Sequence, residues 1–368
     1  MTLPHYIIHV GPHKNGTTYL QHCLAASRAS LLESGIYYPS EMISPNNKVM
    51  HIPLYYAAKK NEMAKEAKVF ETINAAGHKI IVLSCEHFIR LNESSLQSLR
   101  DSIGKATFEI VYYVRRWSDR IPSLWNQSLR QGGHLPLPSY CMQLLHSDKP
   151  NEDFDYTLSW KKLSNVFGKE SLRLVPYSEL MDAKVDIFSA FCSDILGVTD
   201  IPQPPRAGTS VYASLPFAES EVVRALNSLF FNQHGLLSAT PHGSFLRALR
   251  RSEPGITPLV ETIRDHHLTL VLNDNDPTFA AVLGAMNTYS TRLVGKHQGK
   301  EMFFPVRTET KYADMNYLLT KNTPEAVGNL YRQLKLHDSS ALTNAKRQRR
   351  NAIKSDSPRI LKREHINP

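Results

Sequence analysis

Residues 6–18 read YIIHVGPHKNGTT: an apolar, β-prone run from Tyr6 to Val10 that breaks at Gly11 and leads into a helix-like stretch from Thr17. A strand, a glycine-rich turn and a helix in that order aim backbone N–H groups and the helix's positive end at an anion. Gly11 and Gly16 keep the separation of the phosphate-binding pattern G-x-x-x-x-G-K-[ST], and Thr17 and Thr18 add hydroxyl donors. The lysine, however, is Lys14, inside the turn rather than directly after the second glycine. A cation placed that early addresses a different part of a bound nucleotide.

Further β-rich runs lie outward from this stretch. Lys79–Leu83 ends at Ser84-Cys85-Glu86, Phe108–Val114 ends at Arg115-Arg116, and Leu172–Val175 sits in SLRLVPYSEL. Helical stretches separate them. The first, TTYLQHCLAASRASLLESG, places Leu20, Leu24 and Leu31 at helical spacing and stops at Gly35. Strands alternating with helices predict an α/β fold of three layers, a parallel sheet flanked by helices. Ligands of such sheets sit beyond the carboxyl ends of the strands. Lys14, Glu86 and Arg115 follow three such ends and converge if those strands are neighbours. The expected organisation is a nucleotide-binding core over 1–205 and a mostly helical, acceptor-side region over 206–335. Together they form one domain, 1–335, joined through the proline-rich stretch near 200–214 and followed by a basic tail, 336–368.

The chain has 368 residues and a net charge of +9. From Lys346 onward eight basic residues oppose two acidic ones, so +6 lies in the tail and only about +3 elsewhere. A mildly basic globular part argues against nucleic acid as partner. The tail reads as a solvated segment, with weak contact to an anionic membrane surface as the sharper alternative. No apolar run reaches the ~20 residues that span a bilayer, and the first apolar run feeds a glycine turn rather than a cleavage site. The four cysteines, Cys23, Cys85, Cys141 and Cys192, form no C-x-x-C pair. A reduced, cytoplasmic protein is the expectation.

In VYYVRRWSDRIPSLWNQ, Arg115 ends a strand and Ser123 follows eight residues later, where a helix can bring its hydroxyl back. A guanidinium and a hydroxyl make a compact second phosphate site. Trp117 and Trp125 in the same stretch read as core. HVGPHKNGTTYLQ and this stretch together resemble the sulfotransferases that use 3′-phosphoadenosine 5′-phosphosulfate (PAPS), particularly bacterial and glycan-modifying members. These carry H-x-G-x-x-K-[ST]-G-T-[TS] after the first strand and R-x7-S after a later one. LRLVPYSELMDAKVDIFSAFCSDILGV resembles a further family segment, and the likeness covers roughly residues 5–200. It implies a P-loop NTPase-like sulfotransferase fold with an added helical C-terminal region. It assigns the 5′-phosphosulfate to Lys14, Asn15, Gly16, Thr17 and Thr18, with His13 able to touch the donor, and the 3′-phosphate to Arg115 and Ser123. Asn15 stands where the family has Ser or Thr, and donates through its amide instead.

The resemblance implies sulfuryl transfer from PAPS to a hydroxyl or amine, with a carbohydrate or glycolipid as preferred acceptor. Lys14 then stabilises the departing nucleotide, and no metal is required. Glu86, in an S-x-E-like setting, is the leading base, which requires its pKa to be raised by burial. His51 is the second candidate base, whereas His87 points elsewhere if the backbone there is extended. Two other readings stand beside this one: a P-loop small-molecule kinase using ATP and Mg²⁺, and a sulfotransferase-like protein that binds nucleotide without transfer.

Overall fold

The computed structural model describes residues 3–43, 49–145, 156–202, 215–271, 311–313, 322–338, 340–343 and 345–347. Most of the proline-rich stretch (203–214) and most of the basic tail (348–368) lie outside the described residues.

The fold is α/β. Strands β1 (His5–His9), β2 (Ile36–Tyr37), β3 (Ile80–Ser84), β4 (Thr107–Val114) and β5 (Leu172–Pro176) form one sheet in the order β2-β3-β1-β4-β5. All its pairings are parallel. β1 lies between β3 and β4, with Tyr6 beside Ile81 on one side and Phe108 on the other. The strands ending at the glycine turn, at Glu86 and at Arg115 are therefore neighbours, as the convergence of Lys14, Glu86 and Arg115 demands.

Alternation along the strands gives each face its own core. Ile7, Val82, Val111 and Tyr113 pack with Leu20 and Leu24 of α1 (Thr17–Ala26) and Leu31 of α2 (Arg28–Glu33). Phe188 and Phe191 close the same cluster from α10 (Ile187–Ala190) and the π-helical turn after it. On the other face, Tyr6 meets Phe70 of α4 (Ala64–Ala75) edge-on at 6.0 Å, and Phe108 meets Phe167 of α8 (Tyr156–Phe167) at 5.5 Å. Burying each such side chain contributes about 1.5–3 kcal/mol.

The helix expected through Gly35 is two helices. The Ser27 N–H closes α1 on the Cys23 carbonyl at 2.9 Å, and the Ser27 carbonyl opens α2 by accepting from Leu31 at 2.9 Å. Arg28 reinforces the break by donating to the carbonyls of Ala25 and Tyr38. The two-residue β2 beyond it is too short to leave a pattern in the sequence.

The remaining helices are α3 (Ile52–Lys60), α5 (Glu93–Ile103), α6 (Trp117–Arg130), α7 (Leu137–Leu145), α9 (Tyr177–Asp182), α11 (Phe217–His234), α12 (Thr240–Arg250), α13 (Ile256–His266) and α14 (Asn322–Gln333). The chain divides into two compact units. The first holds the five-stranded sheet, α1–α5 and α8–α10; the division falls within α6, after Arg120. The second centres on α11, which buries Val222, Val223, Leu226 and Phe230 and packs with α12, α13 and α14. It also carries an antiparallel pair of strands, β6 (His267–Val271) and β7 (Lys311–Ala313). Among the described residues no helix is long and apolar enough to cross a membrane.

Candidate anion site at the carboxyl edge of the sheet

The turn between β1 and α1 is held in a shape few residues tolerate. Gly11, Lys14 and Gly16 have φ of +98°, +72° and +69°. A left-handed lysine is strained, a condition that persists where the surroundings over-determine it and that clusters at functional sites. Those surroundings are specific. A Cβ on Gly11 would lie 3.0 Å from the Glu86 Cα, and one on Gly16 would lie 2.3 Å from Ile187 Cδ1 and 2.9 Å from the Tyr177 ring. The glycines let the turn press against the segment after β3 on one side and the segments after β5 on the other.

Asn15 is buried, and its amide nitrogen donates to the Tyr113 carbonyl at 2.9 Å. The donor that the resemblance directs at the phosphosulfate thus braces the turn against β4. Arg115 completes the brace: its Nη1 donates to the Lys14 carbonyl at 2.5 Å and its guanidinium lies over the Tyr177 ring at 5.2 Å. Burial pulls the Arg115 pKa down, and Arg120 adds to that.

The two adjacent arginines behave differently. Arg116 is an ion-pair residue, 3.0 Å from both Asp119 and Asp182. Arg115 has a buried Nε with no hydrogen-bond partner among the described residues. Arg120, which sequence reasoning missed, goes further. It is fully buried, lies 5.0 Å from the rings of both Trp117 and Tyr156, and none of its three guanidinium nitrogens has a hydrogen-bond partner among the described residues. Its mark in the sequence is the third arginine of RRWSDR. A buried cation without a hydrogen-bonded counter-charge is costly. Arg120, close enough to Arg115 to lower its pKa, together with Arg115's grip on the strained, glycine-rich turn, fits an anion. Trp117 and Trp125 are core residues, Trp117 stacked on Tyr156 and Trp125 donating to the Leu135 carbonyl. Ser123 is half-buried in the second turn of α6 and belongs to the second unit.

The structure corrects the expectations for the candidate bases. Glu86 opens a 3-10 turn (Glu86–Arg90) after β3 and is buried. Its Oε2 accepts from Gln21 Nε2 at 2.7 Å and its Oε1 lies 3.6 Å from His13 Nδ1. Burial alone pushes its pKa up, but His13, Gln21 and His87 outweigh burial and hold it at about 2, the reverse of the expected elevation. His87 does not point away either. The 3-10 curl turns its ring edge-on to His13, with centroids 4.9 Å apart, and against Tyr55 of α3 at 5.3 Å. His51 offers no free nitrogen. Its Nδ1 accepts from the Ser84 N–H at 3.0 Å and its Nε2 donates to the Pro39 carbonyl at 3.0 Å, and burial lowers its pKa to about 4. It is a neutral brace between β3 and the segment after β2. Gln21, whose carboxamide fixes Glu86, left no signal in the sequence beyond being polar on the inner face of an amphipathic helix. Among the described residues no group of three or more His, Cys, Asp or Glu is placed to hold a metal ion.

No protein-family model matches the chain, and no curated protein matches it. Among solved structures, the crystal structure of a sulfotransferase from Alicyclobacillus acidocaldarius is similar at 15% identity over 56% of this chain and 86% of that one, with a TM-score of 0.35. That likeness is too slight to bear on function, which rests on the residues at the sheet's carboxyl edge.

Proposed function

We propose that this chain is a sulfotransferase that moves a sulfuryl group from PAPS to a hydroxyl or amine. The observation that carries the reading is two neighbouring guanidiniums with nitrogens lacking hydrogen-bond partners among the described residues: Arg120, fully buried, and Arg115, half-buried with a buried Nε and bonded to the strained glycine turn. A phosphate of a doubly phosphorylated adenosine supplies the missing acceptors for Arg115 and Arg120. The N-terminus of α1, with Thr17 and Thr18, offers donors to the phosphosulfate. Lys14 supplies positive charge where the bridging S–O bond breaks and electrons collect on the 5′-phosphate oxygen.

The acceptor's proton goes to the polar cluster around Glu86, on the other flank of the turn. A glycan or glycolipid hydroxyl is the preferred acceptor, on the strength of the motif resemblance. That resemblance also assigns Ser123 to the 3′-phosphate. Incubation of the full chain with ³⁵S-labelled PAPS and separate pools of glycans, lipids and phenols tests the reading. Label in one acceptor class supports it, and label in none, with PAPS left intact, overturns it.

A further inference from the structure

Glu86 has one oxygen bonded to Gln21 and the other 3.6 Å from His13, and against burial these neighbours hold its pKa at about 2, so it is a weak proton acceptor. His13 is the complement. Its side chain is 15% exposed, its Nδ1 lies 3.6 Å from Glu86 Oε1, and its Nε2 is buried without a hydrogen-bond partner among the described residues. A carboxylate facing Nδ1 holds the ring proton there and leaves Nε2 as a bare lone pair. Catalytic hydrogen bonds are commonly this long before substrate binds.

We infer that His13, oriented by Glu86, is the proton acceptor for the incoming nucleophile, and that Glu86 is a positioning residue rather than the base. The inference rests on the sulfuryl-transfer reading above. The acceptor oxygen forms the new O–S bond as its proton passes to His13 Nε2. The bridging S–O bond breaks and its electron pair stays on the 5′-phosphate oxygen. The imidazolium so formed faces the Glu86 carboxylate, and its proton then leaves to solvent. Among the described residues, His87 from the 3-10 segment lies edge-on to His13, with Tyr55 of α3 packed behind His87, and Lys14 follows His13 in the same turn. Gly11 helps the arrangement: its φ of +98° disfavours a side chain, and a Cβ there would lie a tight 3.0 Å from the Glu86 Cα.

The test uses the full chain with three readouts. Calorimetry with adenosine 3′,5′-bisphosphate comes first: a wild type that does not bind it overturns the sulfuryl-transfer reading itself, whatever His13 does. Given binding, His13→Asn is expected to keep bisphosphate affinity within about threefold. Its kcat for transfer from PAPS to an aliphatic hydroxyl acceptor from the labelled pool falls by about 100-fold or more, the scale of a lost general base. Unchanged kcat, or bisphosphate affinity lost in parallel with transfer, overturns the inference. The third readout needs neither turnover nor a variant: ¹⁵N-histidine spectra of the wild type are expected to show His13 as the Nδ1–H tautomer. An Nε2–H tautomer overturns it.

Discussion

Arg115 donates from Nη1 to the carbonyl oxygen of Lys14 at 2.5 Å, so the residue that ends β4 fixes the backbone of the turn that follows β1. The bond joins two strand ends far apart in sequence and leaves the Arg115 Nε without a hydrogen-bond partner among the described residues. It explains how a left-handed lysine is kept in place, and it couples the two halves of the candidate anion site.

Arg115→Ala is therefore expected to weaken adenosine 3′,5′-bisphosphate binding at least tenfold, about 1.4 kcal/mol. Calorimetric titration of the variant checks this. Unchanged affinity removes Arg115 from the site.

Arg120→Met separates stability from binding. Methionine keeps much of the packing against Trp117 and Tyr156 and removes a buried cation whose guanidinium nitrogens lack hydrogen-bond partners among the described residues. The ligand-free variant is expected to melt at or above the wild-type temperature, while bisphosphate affinity falls at least tenfold. A lower melting temperature with intact affinity makes Arg120 a core residue only.

The two left-handed glycines flanking α1 and α2 provide an internal comparison. Gly35→Ala meets no atom within 4 Å and carries only the cost of φ +78°, about 1 kcal/mol. Gly16→Ala adds a collision with Ile187 and Tyr177, and is expected to cost about 2–4 kcal/mol in denaturant unfolding. Equal losses at the two positions contradict the close packing of the turn.

Acid unfolding should show two windows of opposite origin. His51 has its pKa lowered by burial from 6.5 to about 4, so the folded chain favours the neutral ring. The stability this brings is present above about pH 6.5 and is lost as pH falls toward 4. Glu86 is held at about 2 against a usual 4.5, so its contribution persists to about pH 4.5 and is lost between there and pH 2. His51→Phe strands the Ser84 N–H and the Pro39 carbonyl, at an expected cost of about 2–4 kcal/mol at pH 7. It also flattens the upper window while leaving the lower one. Urea unfolding from pH 7 to pH 2 measures both. An upper window that survives in the variant assigns it to another group, of which the buried His9, with its pKa also near 4, is the first to examine.

Much of this fold was legible because it is local. The runs at Tyr6–Val10, Lys79–Leu83, Phe108–Val114 and Leu172–Val175 fall within a residue or two of the observed strands, and the glycines at 11 and 16 mark the turn by themselves. What escaped depends on strand order and on approach between segments. Nothing near Gln21 or His13 announces Glu86, more than sixty residues away. Placing β1 beside β3 brings the three together, and that contact reverses the expected pKa of Glu86. His51 stood as the second candidate base because its two backbone partners, at Pro39 and Ser84, come from different elements. Arg120 stood in plain view beside two other arginines. Its isolation shows only once Trp117 and Tyr156 are seen to enclose it.

The central claim is that the carboxyl edge of this sheet grips a doubly phosphorylated adenosine. Parallel calorimetric titrations of the full chain with adenosine 3′,5′-bisphosphate and with ATP plus Mg²⁺ test it most directly. The account predicts a single bisphosphate site, at least tenfold tighter than that for ATP, about 1.4 kcal/mol. Binding of ATP with equal or greater affinity, or no heat with the bisphosphate, would contradict it.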